Sequence, residues 1–331
     1  MSLSDLVSNL PPGRRDEVRP SVAYIGGYGR SGSTLLLRLL AEAPEVFPIG
    51  ELVYIWTDGF QKNQLCGCGT PFRECEFWMR VTDRVFGRMI TPEEATEIAL
   101  LQKEVIGPGT YRKIRVRRLQ TTTYRNELRS YVNIMAGLYT GIAAASGASL
   151  LVDSSKEANF ARVLADDPEQ IELHMVHLVR DSRATAFSWM RRAKPRTEVH
   201  WETKTMDDFG LAEVIYRWVA VNSLLSLDRT RFQTYSLLRY EAFVEDPRGC
   251  LGVLGNTWNR PNIADIAVNG TEIRLPLTHT VAGNPDRFIS GQIQVQQDSE
   301  WKQAMPLFDK AVVTAGTAPL LRRYGYRLGW S

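Results

Sequence analysis

A short apolar run, a glycine-rich loop and a leucine-rich stretch follow one another near the beginning of the chain. Ser21–Gly26 reads SVAYIG, residues 26–34 read GGYGRSGST, and leucines then recur with helical spacing at positions 35, 36, 39 and 40. A strand buried on both faces and a helix packed along one side explain the two apolar stretches. Because such a loop turns backbone N–H groups and the positive end of a helix toward an anion, the sequence predicts a phosphate- or sulfate-binding site here.

Further apolar runs share the features of buried parallel strands. They cover residues 149–153, 171–179 and 235–239, and stretches of helical periodicity alternate with them. Val46–Gly50 is a shorter strand-like run, and residues 58–129 read as helices and loops inserted between strands, where such segments usually shape a ligand pocket. The alternation predicts an α/β fold with a P-loop-like central parallel sheet flanked by helices.

The size and charge of the chain favour one large globular domain. With 331 residues, 44% of them hydrophobic, we expect a single domain over residues 21–331 behind a flexible N-terminal tail of residues 1–20. Lysine and arginine number 40 against 37 acidic residues, a net charge of +3, which argues against a protein that coats nucleic acid or anionic membrane. Basic runs at 112–129 and 191–196 are interpreted as solvated faces or as surfaces that steer an anionic ligand. Aromatic residues on which the bases of single-stranded nucleic acid could stack are not interleaved with these arginines.

The cysteine content and the N-terminal residues indicate a cytoplasmic location. Only four cysteines occur, too few to staple a chain of this length, and no apolar run of signal-peptide length precedes the prolines at 11 and 12. The stretch between Arg129 and Asp153 carries no charge, but its glycines and serines fit a helix, a Ser-Gly break and a short strand better than a membrane span. We therefore expect no transmembrane segment.

The loop departs from the nucleotide-hydrolase pattern G-x-x-x-x-G-K-[ST] at one position. Gly27 and Gly32 fit it, but Ser33 stands where the lysine is required, and the cation lies earlier as Arg30. This difference disfavours an ATPase or kinase, whose lysine reaches the terminal phosphates. A metal-dependent phosphotransferase is kept as an alternative.

Several motifs follow one another along the chain: GYGRSGSTLLLRLL at 27–40, HLVRDSRATAFSWMR at 177–191, LLRYEAFVEDP at 237–247, and GNPDRF at 283–288 with Trp301 and Tyr324-Gly325-Tyr326. In this order they resemble segments of sulfotransferases that use 3′-phosphoadenosine 5′-phosphosulfate, above all bacterial members. The resemblance implies this donor, the product 3′,5′-adenosine bisphosphate, no requirement for a metal in the transfer, and a hydroxyl or amine acceptor on a small molecule, lipid or glycan. A non-catalytic adenylate-binding module is a second alternative.

The resemblance also implies roles for individual residues. The 5′-phosphosulfate would lie on the loop at Gly29, Arg30, Ser31, Gly32, Ser33 and Thr34. The 3′-phosphate would be bound by Arg180, at the end of a predicted strand, and by Ser188 eight positions later, with Arg183 and Arg287 as weaker candidates.

Sulfuryl transfer needs cations near the bridging oxygen and a base near the acceptor. Arg30 and Lys156 are the expected cations, and Lys156 resembles the donor-contacting lysine of tyrosylprotein sulfotransferases. Glu51 matches the glutamate base of tyrosylprotein and heparan sulfotransferases by its distance from the loop, and His279 is the second choice. Asp153 is interpreted as a strand-end cap, and His174 and His177 as core residues.

Three cysteines, Cys66, Cys68 and Cys75, lie close together in a C-x-C-G…C-x-F-W element that resembles one in some bacterial sulfotransferases. Their thiolates could bind zinc if a fourth ligand came from elsewhere in the chain, or two of them could pair as a disulfide. The spacing is not a standard zinc spacing, so reduced structural thiols are the preferred interpretation.

Overall fold

A parallel sheet of five strands organises the fold. In this computed structural model, which describes residues 19–190, 209–266, 272–275, 277–289, 291–294 and 298–329, the strand order is β2-β3-β1-β4-β5. The strands are β1 (Ser21–Gly26), β2 (Val46–Gly50), β3 (Leu150–Lys156), β4 (Glu172–Val179) and β5 (Thr234–Arg239), and β6 (Glu272–Leu275) pairs antiparallel with β7 (Gly291–Gln294). The predicted α/β fold with a central parallel sheet is confirmed.

Helices cover both faces of this sheet. Among the described residues they are α1 (Ser33–Leu40), α2 (Glu76–Phe86), α3 (Pro92–Ile106), α4 (Tyr111–Arg115), α5 (Thr122–Ser146), α6 (Ala158–Leu164), α7 (Ser182–Met190), α8 (Leu211–Leu227), α9 (Tyr240–Glu245), α10 (Pro247–Thr257), α11 (Trp301–Ala304) and α12 (Leu307–Arg323). Short 3₁₀ turns and a π-helix at Ile55–Gln61 complete the connections.

The central strand β1 is buried on both faces because its side chains alternate between two cores. Val22 and Tyr24 belong to a core shared with α2, α3 and α5, whereas Ala23 and Ile25 pack with α1, α9 and α10. This alternation is the physical reason for the doubly apolar pattern of the strand sequence. The β2–β3 insertion, residues 51–149, supplies most of the helices on the first face.

The uncharged stretch folds as its glycine and serine residues predict. Helix α5 ends at Ser146, Gly147 caps it with φ 70°, and β3 begins at Leu150. Across the described part of the chain, no helix has both the length and the apolar character of a membrane span.

Residues 1–18 of the predicted tail, Arg191 to Arg196 of the second basic run, and His200 lie outside the described residues. At the domain boundary, the carbonyl of Pro20 accepts a hydrogen bond from the backbone of Glu172, and Arg19 forms an ion pair with the Glu172 side chain at 3.1 Å. The boundary at residue 21 and the cytoplasmic location stay predictions.

The histidines of β4 are core residues, as the sequence indicated. His177 is fully buried, its Nδ1 lies 2.6 Å from the hydroxyl of Tyr235, and its Nε2 lies 2.8 Å from Oδ1 of Asn222. Since the amide oxygen only accepts, Nε2 carries the proton and Nδ1 accepts from the tyrosine. Burial lowers the pKa of His177 to about 4.

We predict that His177 makes the protein less stable as the pH falls from about 6.5 to about 4. Between these pH values the imidazole binds a proton in the unfolded state but stays neutral in the folded state, so the free energy of unfolding decreases. The decrease over the whole window is on the order of 3 kcal/mol. Urea unfolding at a series of pH values should show this slope in the native sequence and a shallower one in His177→Gln. Equal slopes in the two proteins would contradict the assignment.

Candidate active site

The carboxyl ends of four neighbouring strands carry the residues singled out in the sequence. Glu51 follows β2, Lys156 ends β3, the loop at residues 27–32 follows β1, and Arg180 follows β4. The register pairs Gly26 directly with Lys156, and Gly50 with Asp153. Ligands of open α/β sheets bind at this edge, where the connections from neighbouring strands diverge.

The loop has a tightly constrained backbone. Gly32 caps α1 with φ 91°, and a Cβ at this position would lie 2.4 Å from the ring of Tyr240, so only glycine fits. Arg30 also has a positive φ, 69°, which is strained for a residue with a side chain. Ser31 is buried, and within the described residues its hydroxyl has no hydrogen-bond partner. An unpartnered buried hydroxyl in such a loop is suited to an anionic ligand.

The end of α7 packs on this loop. Nε1 of Trp189 donates to the carbonyl of Gly29 at 3.3 Å, and the guanidinium of Arg30 lies over the indole ring, 5.1 Å from its centroid. Ser188, the preceding residue of α7, is half-buried. At the start of α1, Ser33 is buried and Thr34 is half-buried. The two segments expected to hold opposite ends of one ligand are therefore in contact.

Arg180 lies between the loop and the C-terminal part of the chain. Its side chain is buried, donates to the carbonyl of Arg30 at 3.1 Å, and stacks over Tyr240 at 4.6 Å. It also forms an ion pair with Asp298, Nη2 to Oδ2 3.1 Å. An anion bound by Arg180 would have to share or replace that carboxylate.

Glu51 and Lys156 form an ion pair with each other. Lys156 also donates to the carbonyl of Ser154 at 3.0 Å, and the two charged side chains are 13% and 17% exposed, respectively. The backbone of Lys156 has φ 67°. The sequence suggested each residue separately, and the fold joins them at the carboxyl ends of adjacent strands.

The residues 277–283, here called the 277–283 segment, hold Glu51 from the other side. The backbone N–H of Glu51 donates to the carbonyl of Val281, and the N–H of Val281 donates to that of Ile49, both at 2.8 Å. Gly283 lies directly on the carboxylate, since a Cβ there would be 3.0 Å from Oε1 of Glu51. The position of the carboxylate therefore depends on this segment.

Two of the arginines suggested for the 3′-phosphate have other partners. Arg183 pairs with both oxygens of Asp181, at 2.9 and 2.7 Å, and donates to carbonyls of residues 327–329. Arg287 is buried and donates to the carbonyls of Thr280 and Leu65, at 3.0 and 2.8 Å. Arg183 thus holds the C-terminal residues, and Arg287 holds the 277–283 segment on the β2–β3 insertion. A role of either arginine at the 3′-phosphate stays a prediction.

His279, the second choice for a base, lies among the cysteines. Its Nδ1 is 3.3 Å from Sγ of Cys75 and 3.8 Å from Sγ of Cys66, and its ring stacks on Phe77 with 5.0 Å between centroids. Nδ1 of His279 therefore faces sulfur, whereas the carboxylate of Glu51 faces Lys156. The choice of Glu51 over His279 as the base stays a prediction.

Asp153 is a structural residue, in agreement with its interpretation as a cap. Its Oδ1 accepts from the backbone of Ser155 at 2.7 Å and from the hydroxyl at 2.5 Å, and its Oδ2 accepts from Tyr139 at 2.6 Å. Complete burial raises the pKa of Asp153 to about 6.

The first basic run does not line this edge of the sheet. Arg115, Arg117, Arg125 and Arg129 line a cavity of about 420 Å³ with Asp166, Asp167 and Arg231. Asp166 and Asp167 lie in the connection before β4, and Arg231 lies in the connection before β5, so the cavity lies near the amino ends of these strands. The positive charge of this cavity is partly neutralised, because Arg115 forms an ion pair with Asp228 at 2.5 Å and Arg162 forms one with Asp166.

Three residues of the site were not singled out from the sequence: Trp189, Tyr240 and Asp298. Tyr240 directly follows β5 and so reaches the same edge by the rule that identified Arg180. Trp189 is next to Ser188, but nothing in its neighbourhood marks a contact with Gly29. Asp298 lies in a C-terminal stretch whose path no local pattern predicts.

The comparisons with known proteins bear on the fold. No protein-family model and no curated protein matches the chain. Among solved structures, the sulfotransferase domain of the olefin synthase of Synechococcus PCC 7002 is similar, with 19% identity, a TM-score of 0.52, and coverage of 96% of this chain and 98% of that one. Sulfotransferase STF9 of Mycobacterium avium has 11% identity and a TM-score of 0.45, covering 98% of this chain and 80% of that one. The chain has the sulfotransferase fold.

Proposed function

We propose that this protein transfers the sulfuryl group of 3′-phosphoadenosine 5′-phosphosulfate to a hydroxyl or amine of a small-molecule, lipid or glycan acceptor. The order of Glu51, Lys156, the loop and Arg180 along one sheet edge carries this proposal. From β2 to β4 that edge spans three strand spacings, about 14 Å, which would accommodate the donor at the loop and Arg180 and an acceptor beside Glu51.

The chain offers two separate sets of anion-binding groups for such a donor. The backbone of residues 29–34 and the buried hydroxyl of Ser31 would hold the 5′-phosphosulfate, with Ser33 and Thr34 adding hydroxyl donors at the start of α1. Arg180, with Ser188 from α7, would hold the 3′-phosphate. The unpartnered Ser31 hydroxyl and the exclusion of a side chain at Gly32 support the fit.

Catalysis would rest on positioning and on charge. The sulfuryl group of the donor would pass in line from the bridging oxygen to the acceptor oxygen or nitrogen, and 3′,5′-adenosine bisphosphate would leave. Lys156 has three N–H donors, of which Glu51 and the Ser154 carbonyl take two, so the third is available for the bridging oxygen together with Arg30. Glu51 takes the proton of the attacking hydroxyl or amine.

The alternatives from sequence are a phosphotransferase and a non-catalytic adenylate-binding module. Ser33, in place of the P-loop lysine, is the first residue of α1 and speaks against the former. Incubation with ³⁵S-labelled donor and a panel of phenol, alcohol and amine acceptors tests the proposal. Transfer of ³⁵S supports it, whereas transfer of γ-³²P from ATP, or tight bisphosphate binding without any transfer, supports one of the alternatives.

Replacement of the base should remove turnover and leave donor binding intact. For Glu51→Gln we expect turnover to fall by about 10²- to 10⁴-fold, because the amide cannot accept the acceptor's proton. Affinity for 3′,5′-adenosine bisphosphate, measured by calorimetry, should stay within about twofold, since the carboxylate would not touch the nucleotide. Glu97→Gln, at an exposed position of α3, is the matched control. Turnover that survives in Glu51→Gln would assign the base elsewhere.

The two cations should act mainly on the reaction rather than on binding. In Arg30→Ala and in Lys156→Met we expect the fold-decrease in turnover to exceed the fold-decrease in bisphosphate affinity by at least about tenfold. The reason is that the positive charges of Arg30 and Lys156 are needed most in the transition state. Single-turnover rates and calorimetry on the same preparations measure the two effects. Unchanged rates in both variants would contradict the charge assignment.

Arg180 and its carboxylate partner should change donor affinity in opposite directions. Arg180→Ala should weaken bisphosphate binding by about 10- to 100-fold, through loss of charge-assisted hydrogen bonds to the 3′-phosphate. Asp298→Asn should strengthen it by up to about fivefold, because the phosphate no longer competes with the ion pair. Calorimetry with 5′-adenosine monophosphate is the control, and there both variants should behave like the native protein.

A further inference from the structure

Four metal-binding side chains from distant parts of the chain converge at one point. Cys66 and Cys68 lie in a turn after the π-helix, Cys75 precedes α2, and His279 comes from the 277–283 segment, more than 200 positions later. One ligand atom from each lies within 4.8 Å of all the others, and Cys66 and Cys75 are buried. The sequence alone offered three thiols, and the fold supplies the fourth ligand.

Three distances within this cluster are close to those of tetrahedral coordination. Sγ of Cys68 lies 3.8 Å from Sγ of Cys75, and Nδ1 of His279 lies 3.8 and 3.3 Å from the sulfurs of Cys66 and Cys75. Bonds of about 2.3 Å to sulfur and about 2.0 Å to nitrogen place the ligands of a tetrahedral zinc roughly 3.5–3.8 Å apart. A disulfide would instead require about 2.05 Å between two sulfurs.

Hydrogen bonds join the histidine segment to the cysteine turn and to α2. The N–H of Gly67, between the first two cysteines, donates to the carbonyl of Thr280 at 2.9 Å, and a Cβ there would lie 2.7 Å from the carbonyl of Thr278. Nε1 of Trp78 donates to the carbonyl of His279 at 3.0 Å. The cysteine turn therefore contacts the 277–283 segment at Thr280, and α2 contacts it at His279.

We propose that Cys66, Cys68, Cys75 and His279 form a structural Zn²⁺ site that clamps the 277–283 segment to the β2–β3 insertion. Three thiolates and one imidazole are a soft ligand set that suits zinc, and four protein ligands leave no open position for a substrate. This zinc site goes beyond the proposed sulfuryl transfer and does not depend on it. The zinc would take no part in the transfer reaction.

The clamp acts on Glu51 through two residues of backbone. His279 is followed by Thr280 and Val281, and Val281 exchanges backbone hydrogen bonds with Ile49 and Glu51 on the two sides of Gly50. Arg287 braces the same segment by bonding the carbonyls of Thr280 and Leu65. The proposed clamp therefore lies two residues from the backbone that pairs with Ile49 and Glu51.

Metal analysis of the untagged full-length protein tests the site. Purified without chelator, it should contain about one zinc per chain by inductively coupled plasma mass spectrometry. In Cys68→Ser and in His279→Ala the zinc content per chain should fall at least about fivefold. Cys250→Ser, which changes the one cysteine outside the cluster, should keep the native zinc content. A native protein without zinc, or a Cys68–Cys75 disulfide found by mass spectrometry of the unreduced protein, would overturn the proposal.

Cobalt substitution covers the case in which the variants fail to fold. The native protein, expressed with Co²⁺ in place of zinc, should show the visible absorption of tetrahedral cobalt and the near-ultraviolet band of thiolate ligation. An octahedral spectrum without thiolate bands would contradict the site. Calorimetry with 3′,5′-adenosine bisphosphate on the same samples reports on donor binding separately, so failure of the zinc site and failure of the proposed function are distinguishable.

Discussion

The parallel pairing of β1 with β3 on one side and β4 on the other is the constraint on which the candidate active site depends. Parallel strands end at one edge, so the groups that follow them are brought together whatever their separation in sequence. The register puts Lys156 beside Gly26, and the carbonyl of Arg30 meets the guanidinium of Arg180. A shift of one residue between β1 and β3 would turn Lys156 to the opposite face and separate it from the loop.

Strain at this edge is balanced by packing. Arg30 and Lys156 are the two proposed cations, and both have a positive φ, a conformation that costs on the order of 1–3 kcal/mol for residues with side chains. Trp189 fixes Arg30 through the ring and through the Gly29 carbonyl, and the pair with Glu51 fixes Lys156. Trp189 therefore stabilises a backbone conformation of Arg30 that local conformational preference alone would not favour.

The 277–283 segment connects the catalytic proposal with the zinc proposal. On one side it carries His279 among three sulfurs, and on the other it hydrogen-bonds Glu51 and lays Gly283 on its carboxylate. A metal at the first point would reduce the freedom of the segment at the second. The C-x-C-G element, to which the proposed transfer assigns no catalytic role, would then restrict the motion of this segment beside Glu51.

The sequence by itself determined the strands of the sheet, the anion loop and the edge at which Glu51, Lys156 and Arg180 lie. The strands and the loop follow from local hydrophobic periodicity, and the shared edge follows from the rule that the carboxyl ends of parallel strands lie at the same edge of a sheet. Only the tertiary structure decided the partners: Asp298 for Arg180, the Thr280 and Leu65 carbonyls for Arg287, and three cysteines for His279. Those choices depend on how segments separated by tens to hundreds of residues pack, and no pattern within one segment encodes the shape of the surface it meets.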